Sequence, residues 1–376
     1  MRGGVPPRPS AAIADADGAR MTIAHINRIA TAVPPVDVHA AFVDHARRVL
    51  ETTRYRPLFR RMAERSHIEH RWSFLHPTPD DPDGFLDSER LYRTGAFPST
   101  AARMQAYERL APDLATLAAE RLDLGPAARD ITHVVVASCT GFSAPGIDLL
   151  LVERLGLCPN VERTMVGFMG CYAAINALKL ARHIVRSEPE SKVLVVCVEL
   201  CTLHFQESAE LEQVLSFLLF GDGCAAAIVS AEPHGLALDR FKALLSPQAA
   251  DQITWNIRDQ GFDMVLSGQV PQSVAAALRS GREEIFGNAA VEDIDLWAVH
   301  PGGRSILDAV ESALGLGTEA LAASREVLRC YGNMSSATIL FVLEALMATA
   351  RPKMRGCGMA FGPGLTAETL LFSVAA

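Results

Sequence analysis

Gly170-Cys-Tyr-Ala-Ala174 is the stretch on which the reading of this chain turns. It follows an apolar, strand-like run, Arg163-Thr-Met-Val-Gly-Phe-Met169. It opens a helix-like run in which Ala173, Ala174, Ala177, Leu178, Leu180, Ala181 and Ile184 are apolar. A cysteine at a strand-to-helix elbow meets backbone N–H groups and the positive end of a helix dipole, both of which favour its thiolate. The thiolate is the nucleophilic form. Cys171 is therefore a candidate to carry an acyl group covalently, and the rest of the chain has to supply a base and an oxyanion site.

The bulk numbers frame that search. The chain has 376 residues, enough for one large domain or two to three ordinary ones. A hydrophobic share of 49% with 21% charged residues is that of a soluble globular protein with a large core. The net charge of -8 argues against nucleic acid as a partner, so an anionic substrate has to be met by a local basic patch. Eight cysteines are spread along the chain without a C-x-x-C pair. Cys197 and Cys201 are four apart with His204 nearby, but no fourth ligand completes a metal set, and no metal is expected. Most of the cysteines stand in apolar runs, as buried reduced thiols do in a cytoplasmic protein. Residues 1–20 lack the apolar segment of a signal peptide and read as a loose tail ahead of Met21. No apolar run reaches the ~18–20 residues of a membrane span.

Working outward, strands and helices alternate. Strands are expected at Ile23 to Ala32, Ile131 to Ser138, Lys192 to Val198, Cys224 to Val229 and Asp295 to His300, with a closing hairpin over Met359 to Val374. Helices are expected at Val38 to Leu50, Ala101 to Leu122, Ile147 to Gly156, from Arg304, and over Ser335 to Ala350. Arg54 to Arg71 is a mostly helical, arginine-rich stretch. This pattern predicts a mixed or mostly parallel sheet with helices on its faces, in two halves that meet near residue 232.

Three further features stand at the ends of apolar elements. His300 ends a strand just before Pro301-Gly-Gly303, Asn333 precedes a helix in Tyr331-Gly-Asn-Met-Ser-Ser336, and Ala360-Phe-Gly-Pro-Gly364 is a glycine-rich loop able to approach a ligand closely. A Cys, a His and an Asn form the minimum set for thioester chemistry. The His can take the thiol proton and hold an ion pair. His and Asn N–H groups can together stabilise an oxyanion. Taken singly, each has a plainer reading: an inert buried thiol, a structural histidine, a helix N-cap and a turn.

Together, Gly170-Cys-Tyr-Ala-Ala174, Leu219-Phe-Gly-Asp-Gly223, Val299-His-Pro-Gly-Gly303, Tyr331-Gly-Asn-Met-Ser-Ser336 and Phe361-Gly-Pro-Gly-Leu-Thr366 resemble the type III polyketide synthases, the chalcone and stilbene synthases with their bacterial relatives. The resemblance runs from about Thr31 to the C-terminus. It implies an α/β thiolase fold of αβαβα layers, built from two similar halves with mixed five-stranded sheets, residues 21–232 and 233–376, and a homodimer. It implies that Cys171 takes a starter acyl group from a CoA thioester, and that His300 and Asn333 serve malonyl-CoA decarboxylation and condensation, with no cofactor. Phe220 and Met264 would be the gate, and Cys139, Thr140, Ala144, Cys201, His204, Ser216 and Ser335 would line the cavity. Arg61, Arg65, Gly302 and Ser305 would contact CoA, and Phe361, Gly362, Pro363 and Gly364 would form the cyclisation loop.

Departures from the plant pattern are informative. Leu58 stands at a third basic CoA position, which Arg54, Arg56 or Arg60 could replace. Met264 replaces a gate Phe, and Ala144 replaces the residue that reaches across the dimer. Small Ala144 and flexible Met264 leave room for a longer apolar tunnel, so a fatty acyl-CoA starter and an alkylpyrone or alkylresorcinol product are expected. The alternatives are a malonyl-CoA-only synthase making tetrahydroxynaphthalene or a phloroglucinol-type product, and a ketoacyl synthase III-like enzyme that condenses once. A papain-like hydrolase would carry its cysteine near the mature N-terminus, and Cys171 lies mid-chain.

Overall fold

A computed structural model describes residues 22–376. The expected tail over residues 1–20 lies outside the described residues.

The strands that read as continuous apolar runs are buried on both faces. All eight residues of Val193–Leu200 and all nine of Asp222–Ser230 are buried, as strands covered by helices on both sides must be. They belong to a nine-stranded sheet. Its order is Leu296–Val299, Arg355–Gly362, Thr366–Val374, Leu236–Leu245, His25–Ala32, Asp222–Ser230, Val193–Leu200, His133–Ser138 and Glu162–Gly167.

The two halves repeat one design. In the first, His133–Ser138 pairs parallel with Val193–Leu200, which pairs antiparallel with Asp222–Ser230, which pairs antiparallel with His25–Ala32. In the second, Leu296–Val299, Arg355–Gly362, Thr366–Val374 and Leu236–Leu245 repeat that parallel, antiparallel, antiparallel series. Two five-stranded sheets were the expectation. The second half contributes four strands among the described residues, having no counterpart of edge strand Glu162–Gly167. The two sets fuse because His25 and Ile26 pair with Ala237 and Leu236.

Three apolar clusters define the helix layers. Ala173–Ser187 and Thr338–Met347 lie in the central cluster, between the sheet faces of the two halves. Thr100–Glu120 and Ile147–Arg154 cover the outer face of the first half. Val270–Ser280 and Arg304–Leu314 cover the outer face of the second. No described helix is long and apolar enough to cross a membrane.

The repeat positions the site. Each half sends one loop off the end of its first parallel strand, at Cys139 and at His300. Each also starts its central helix from a short 3-10 turn, Gly170–Tyr172 and Ser335–Ala337. Leu236–Leu245, the hairpin Ile253–Arg258 with Gly261–Leu266, and the helices Leu211–Leu219, Val270–Ser280 and Ala322–Tyr331 are elements the hydropathy pattern did not mark.

Candidate active site

Cys171 occupies the turn before helix Ala173–Ser187. Gly170 turns the chain at φ +78°, a region open to glycine at little cost. Gly362 fits just as closely from the other side, since a Cβ there would lie 3.3 Å from the Cys171 nitrogen. Phe361, Gly362 and Pro363 thus wall the cysteine, whereas Gly364, at φ +76°, lies outside the cavity lining.

His300 follows strand Leu296–Val299 and is held by its own N–H, which donates to the Met359 carbonyl at 2.8 Å. The ring is fully buried, and neither Nδ1 nor Nε2 has a partner among the described residues. Burial lowers its pKa to about 3. Asn333 is fixed by its backbone: its N–H donates to the Leu219 carbonyl at 2.8 Å and its carbonyl accepts from Gly221 N–H at 3.0 Å. Its Oδ1 accepts from Ser335 N–H at 2.9 Å. Its Nδ2 donates to the Gly302 carbonyl at 3.4 Å.

These three side chains open on one cavity of about 740 Å³. Cys139, Thr140, Cys201, Ser216 and Ser335 line it, as do Phe220 and Met264. Gly302 and Ser305 lie along it, and exposed Arg61 and Arg65 reach it from helix Arg56–Arg65 together with Leu58. Arg54, Arg56 and Arg60 do not line it. The additional cation comes instead from Arg304, on the other half, whose guanidinium bonds His67 at 3.0 Å and pairs with Asp308 at 3.5 Å.

Three expectations change. The elbow was expected to favour a thiolate. Burial instead pushes the Cys171 thiol up to about 11, outweighing the hydrogen bonds from Ser335 and Asn333 that pull it down. Loss of hydration disfavours the charged form of each, raising the Cys171 pKa and lowering that of His300. His204 does not line the cavity. Its Nε2–H donates to the Thr140 carbonyl at 2.6 Å, its Nδ1 accepts from Phe262 N–H at 3.1 Å, and its ring stacks on Phe262 at 4.1 Å. That bonding satisfies a neutral imidazole, and burial lowers its pKa to about 3. It braces the wall from behind. Ala144 is exposed on the loop before helix Ile147–Arg154 and lines no part of this chain's cavity.

Glu199 escaped the sequence reading. Fully buried, its carboxylate accepts from Cys139 N–H at 3.0 Å, Cys139 Sγ at 3.2 Å, Thr140 Oγ1 at 2.8 Å and the Ser336 hydroxyl. Cys139 Sγ also meets Ser335 Oγ at 3.1 Å. A lone carboxylate inside Val195-Val-Cys-Val-Glu-Leu200 was the available signal, because buried acids need partners.

Comparison with known proteins matches the two family models for chalcone and stilbene synthases, the N-terminal domain over residues 14–233 and the C-terminal domain over 239–375. The chain is 37% identical over 259 residues to the alpha-pyrone synthesis polyketide synthase-like Pks18 of Mycobacterium tuberculosis, a match spanning 66% of each chain. It therefore spans about two thirds of the length of that relative. It is 35% identical to bisdemethoxycurcumin synthase of Oryza sativa subsp. japonica, over 93% of this chain and 92% of that one. Among solved structures, PKS-I of the brown alga Ectocarpus siliculosus superposes with a TM-score of 0.83 at 29% identity, covering 95% of this chain and 99% of that one. The type III polyketide synthase domain of Steely1 from Dictyostelium shares the fold, with a TM-score of 0.85 at 24% identity, covering 94% and 100%.

Proposed function

Because this chain belongs to the chalcone and stilbene synthase family, the type III polyketide synthases, we propose that it loads an acyl starter from a CoA thioester onto Cys171 and extends it with malonyl-CoA. One observation carries the reading: Cys171, His300 and Asn333, delivered by three separate elements, face one cavity whose mouth presents Arg61, Arg65 and Arg304.

The chemistry follows from those groups. Cys171 gives its proton to His300 as Sγ attacks the starter thioester carbonyl, and the CoA thiolate leaves and takes that proton. Malonyl-CoA then loses carbon dioxide. The C–C bonding pair becomes an enolate, whose oxygen meets an N–H of neutral His300 and Nδ2–H of Asn333. The new carbanion attacks the acyl carbonyl, Sγ leaves, and the lengthened chain stays on CoA. Phe220 is buried at the cavity wall and presents an apolar face to the malonyl carboxylate, favouring its loss. Met264 is the second gate, and Phe361, Gly362 and Pro363 shape the cyclising chain. Arg61 and Arg65, with Gly302 and Ser305 along the path, would receive the CoA phosphates and pantetheine. The reaction calls for no metal or organic cofactor.

A medium or long fatty acyl starter, two or three extensions, and an alkylpyrone or alkylresorcinol product are the reading the cavity favours. Beyond the main cavity lies a second of about 120 Å³, and the two share Cys201, Phe217 and Phe220 as their dividing wall. Ala144 contributes from a different direction. It is exposed, as are Phe142, Leu149, Met165 and Met169, on the segments before, within and just after edge strand Glu162–Gly167. We assign those segments to a homodimer, in which small Ala144 would meet the partner's cavity. The eight cysteines are all free, in keeping with a reducing cytoplasm.

Purified enzyme with labelled malonyl-CoA and a ladder of acyl-CoA starters, its products read by mass spectrometry, tests the reading. Efficiency should climb with chain length and give triketide or tetraketide products. A flat response from acetyl to palmitoyl overturns the fatty-starter reading, as does a naphthalenetetrol formed from malonyl-CoA alone.

A further inference from the structure

We propose that Arg71 is a positioning residue for the gate: its guanidinium fixes the backbone that carries Phe220 and, through it, the loop that carries Asn333. The proposal rests on the reading of Phe220 given above.

Arg71 is 2% exposed. Its Nη1 donates to the carbonyls of Phe217 at 2.6 Å and Phe220 at 2.8 Å. These carbonyls belong to the end of helix Leu211–Leu219, where main-chain acceptors lack intrahelical donors and a cation is favoured. Between them, the Leu219 carbonyl accepts from Asn333 N–H, and Gly221 N–H returns a bond to the Asn333 carbonyl. Phe220 is thus clamped by Arg71 on one side and by the Asn333 loop on the other.

The arginine is itself immobilised. Its Nε donates to His39 Nδ1 at 3.0 Å, its guanidinium lies 4.6 Å from the Phe42 ring centre, and its stem fills the space beside Gly332, where a Cβ would come within 2.8 Å. Burial and Arg71 itself hold the His39 pKa down, to about 4, so this imidazole stays an acceptor. Asp37 and Asp222 are the carboxylates that face the cation. The neighbouring backbone is stitched to both halves: Val38 N–H donates to the Arg71 carbonyl, and Glu69 and His70 N–H groups donate to the Arg329 carbonyl. Placing a guanidinium in such a site is costly. Both main-chain acceptors it reaches hold the gate.

The clamp matters for the step that depends on where the Phe220 ring lies. Malonyl decarboxylation needs that face, whereas starter loading on Cys171 does not. Arg71→Met keeps the stem and removes the donors. In the full-length enzyme, starter loading is followed by intact mass and malonyl-CoA decarboxylation by labelled carbon dioxide release. Arg71→Met should cut the decarboxylation kcat about tenfold or more, with KM and loading within about threefold. On a Phe220→Leu background it should add less than about twofold, since a residue that acts through Phe220 has nothing left to position. Proportional losses in both half-reactions, no loss in either, or a full further loss on the Phe220→Leu background would each overturn the proposal. If Phe220→Leu alone leaves decarboxylation intact, the gate reading fails and the proposal with it. If Phe220→Leu impairs the step and Arg71→Met does not, only the proposal fails. Should Arg71→Met not fold, His39→Leu removes one acceptor and leaves Arg71 in place. It should lower decarboxylation selectively by about two- to fivefold, and an equal or absent effect is the contrary result.

Discussion

Gly170 and Pro363 interlock: a Cβ built on Gly170 would lie 2.3 Å from Pro363 Cδ. The turn that presents Cys171 and the loop that closes the cavity from the second half therefore fit only because one of them has no side chain. Gly170 also sits at φ +78°, where an L-residue is strained by ~1–2 kcal/mol.

Gly170→Ala should accordingly lose stability by about 2–5 kcal/mol, the strain plus an overpacking cost of ~1–3 kcal/mol. It should also lose most acylation of Cys171 even when folded. Urea denaturation and intact-mass loading check both effects. Parental stability with parental loading would show that the two loops separate freely.

Cys171→Ala should abolish the acyl-enzyme. His300→Ala and Asn333→Ala should suppress malonyl-CoA decarboxylation by about 10²-fold or more while leaving some loading, the scale expected for an oxyanion donor. An acyl adduct on another residue of Cys171→Ala, with normal turnover, would remove the nucleophile assignment.

The resting thiol should be sluggish. With the Cys171 pKa raised to about 11, alkylation by iodoacetamide should keep rising through pH 8 to 10. Because the Asn333 amide pulls the thiol down, Asn333→Ala should shift the profile further to the alkaline side. Peptide mapping of alkylated Cys171 against pH gives the curve, and a plateau below pH 8 would mean that His300 already holds the proton.

His204 should make the fold acid-sensitive. Its folded pKa, about 3, lies below the ordinary 6.5. A depressed pKa contributes stability above 6.5 that is lost as pH falls towards 3. His204→Gln should therefore cost about 1–3 kcal/mol at pH 7.5, from the lost hydrogen bond and stacking, and clearly less at pH 5. Urea midpoints of the two proteins at both pH values decide it, and a gap that does not change with pH speaks against the assignment.

Legibility in the sequence followed burial and locality. Val193–Leu200 and Asp222–Ser230 declare themselves because both faces are covered and every residue except Glu199 and Asp222 is apolar or small. Leu236–Leu245 does not, because its far end is half exposed and carries Asp239, Arg240 and Lys242. Thr100–Glu120 shows its apolar stripe, whereas Leu211–Leu219 is a short helix with one acid in its first turn and few local signals. Of the residues proposed to form the cavity, Cys139, Thr140, Cys201, Ser216 and Ser335 line it, while His204 and Ala144 do not. No local pattern separates a histidine that faces a cavity from one stacked behind its wall. That difference is set by Phe262, 58 residues away, whose N–H bonds His204.

The sequence by itself determined the elements on which the proposed chemistry rests: a cysteine at an elbow, a histidine at a strand end, an asparagine ahead of a helix, and glycines where the chain must turn sharply or pass another segment. These are local facts, fixed by backbone sterics and hydrophobic period. The tertiary structure alone decided the environment in which they act. It desolvated Cys171 and His300, placed Arg304 rather than Arg54, Arg56 or Arg60 at the mouth, and buried Arg71 beneath Phe220. Charge state and the choice of partner depend on which distant segments exclude water, and that is settled only when the two halves close on each other.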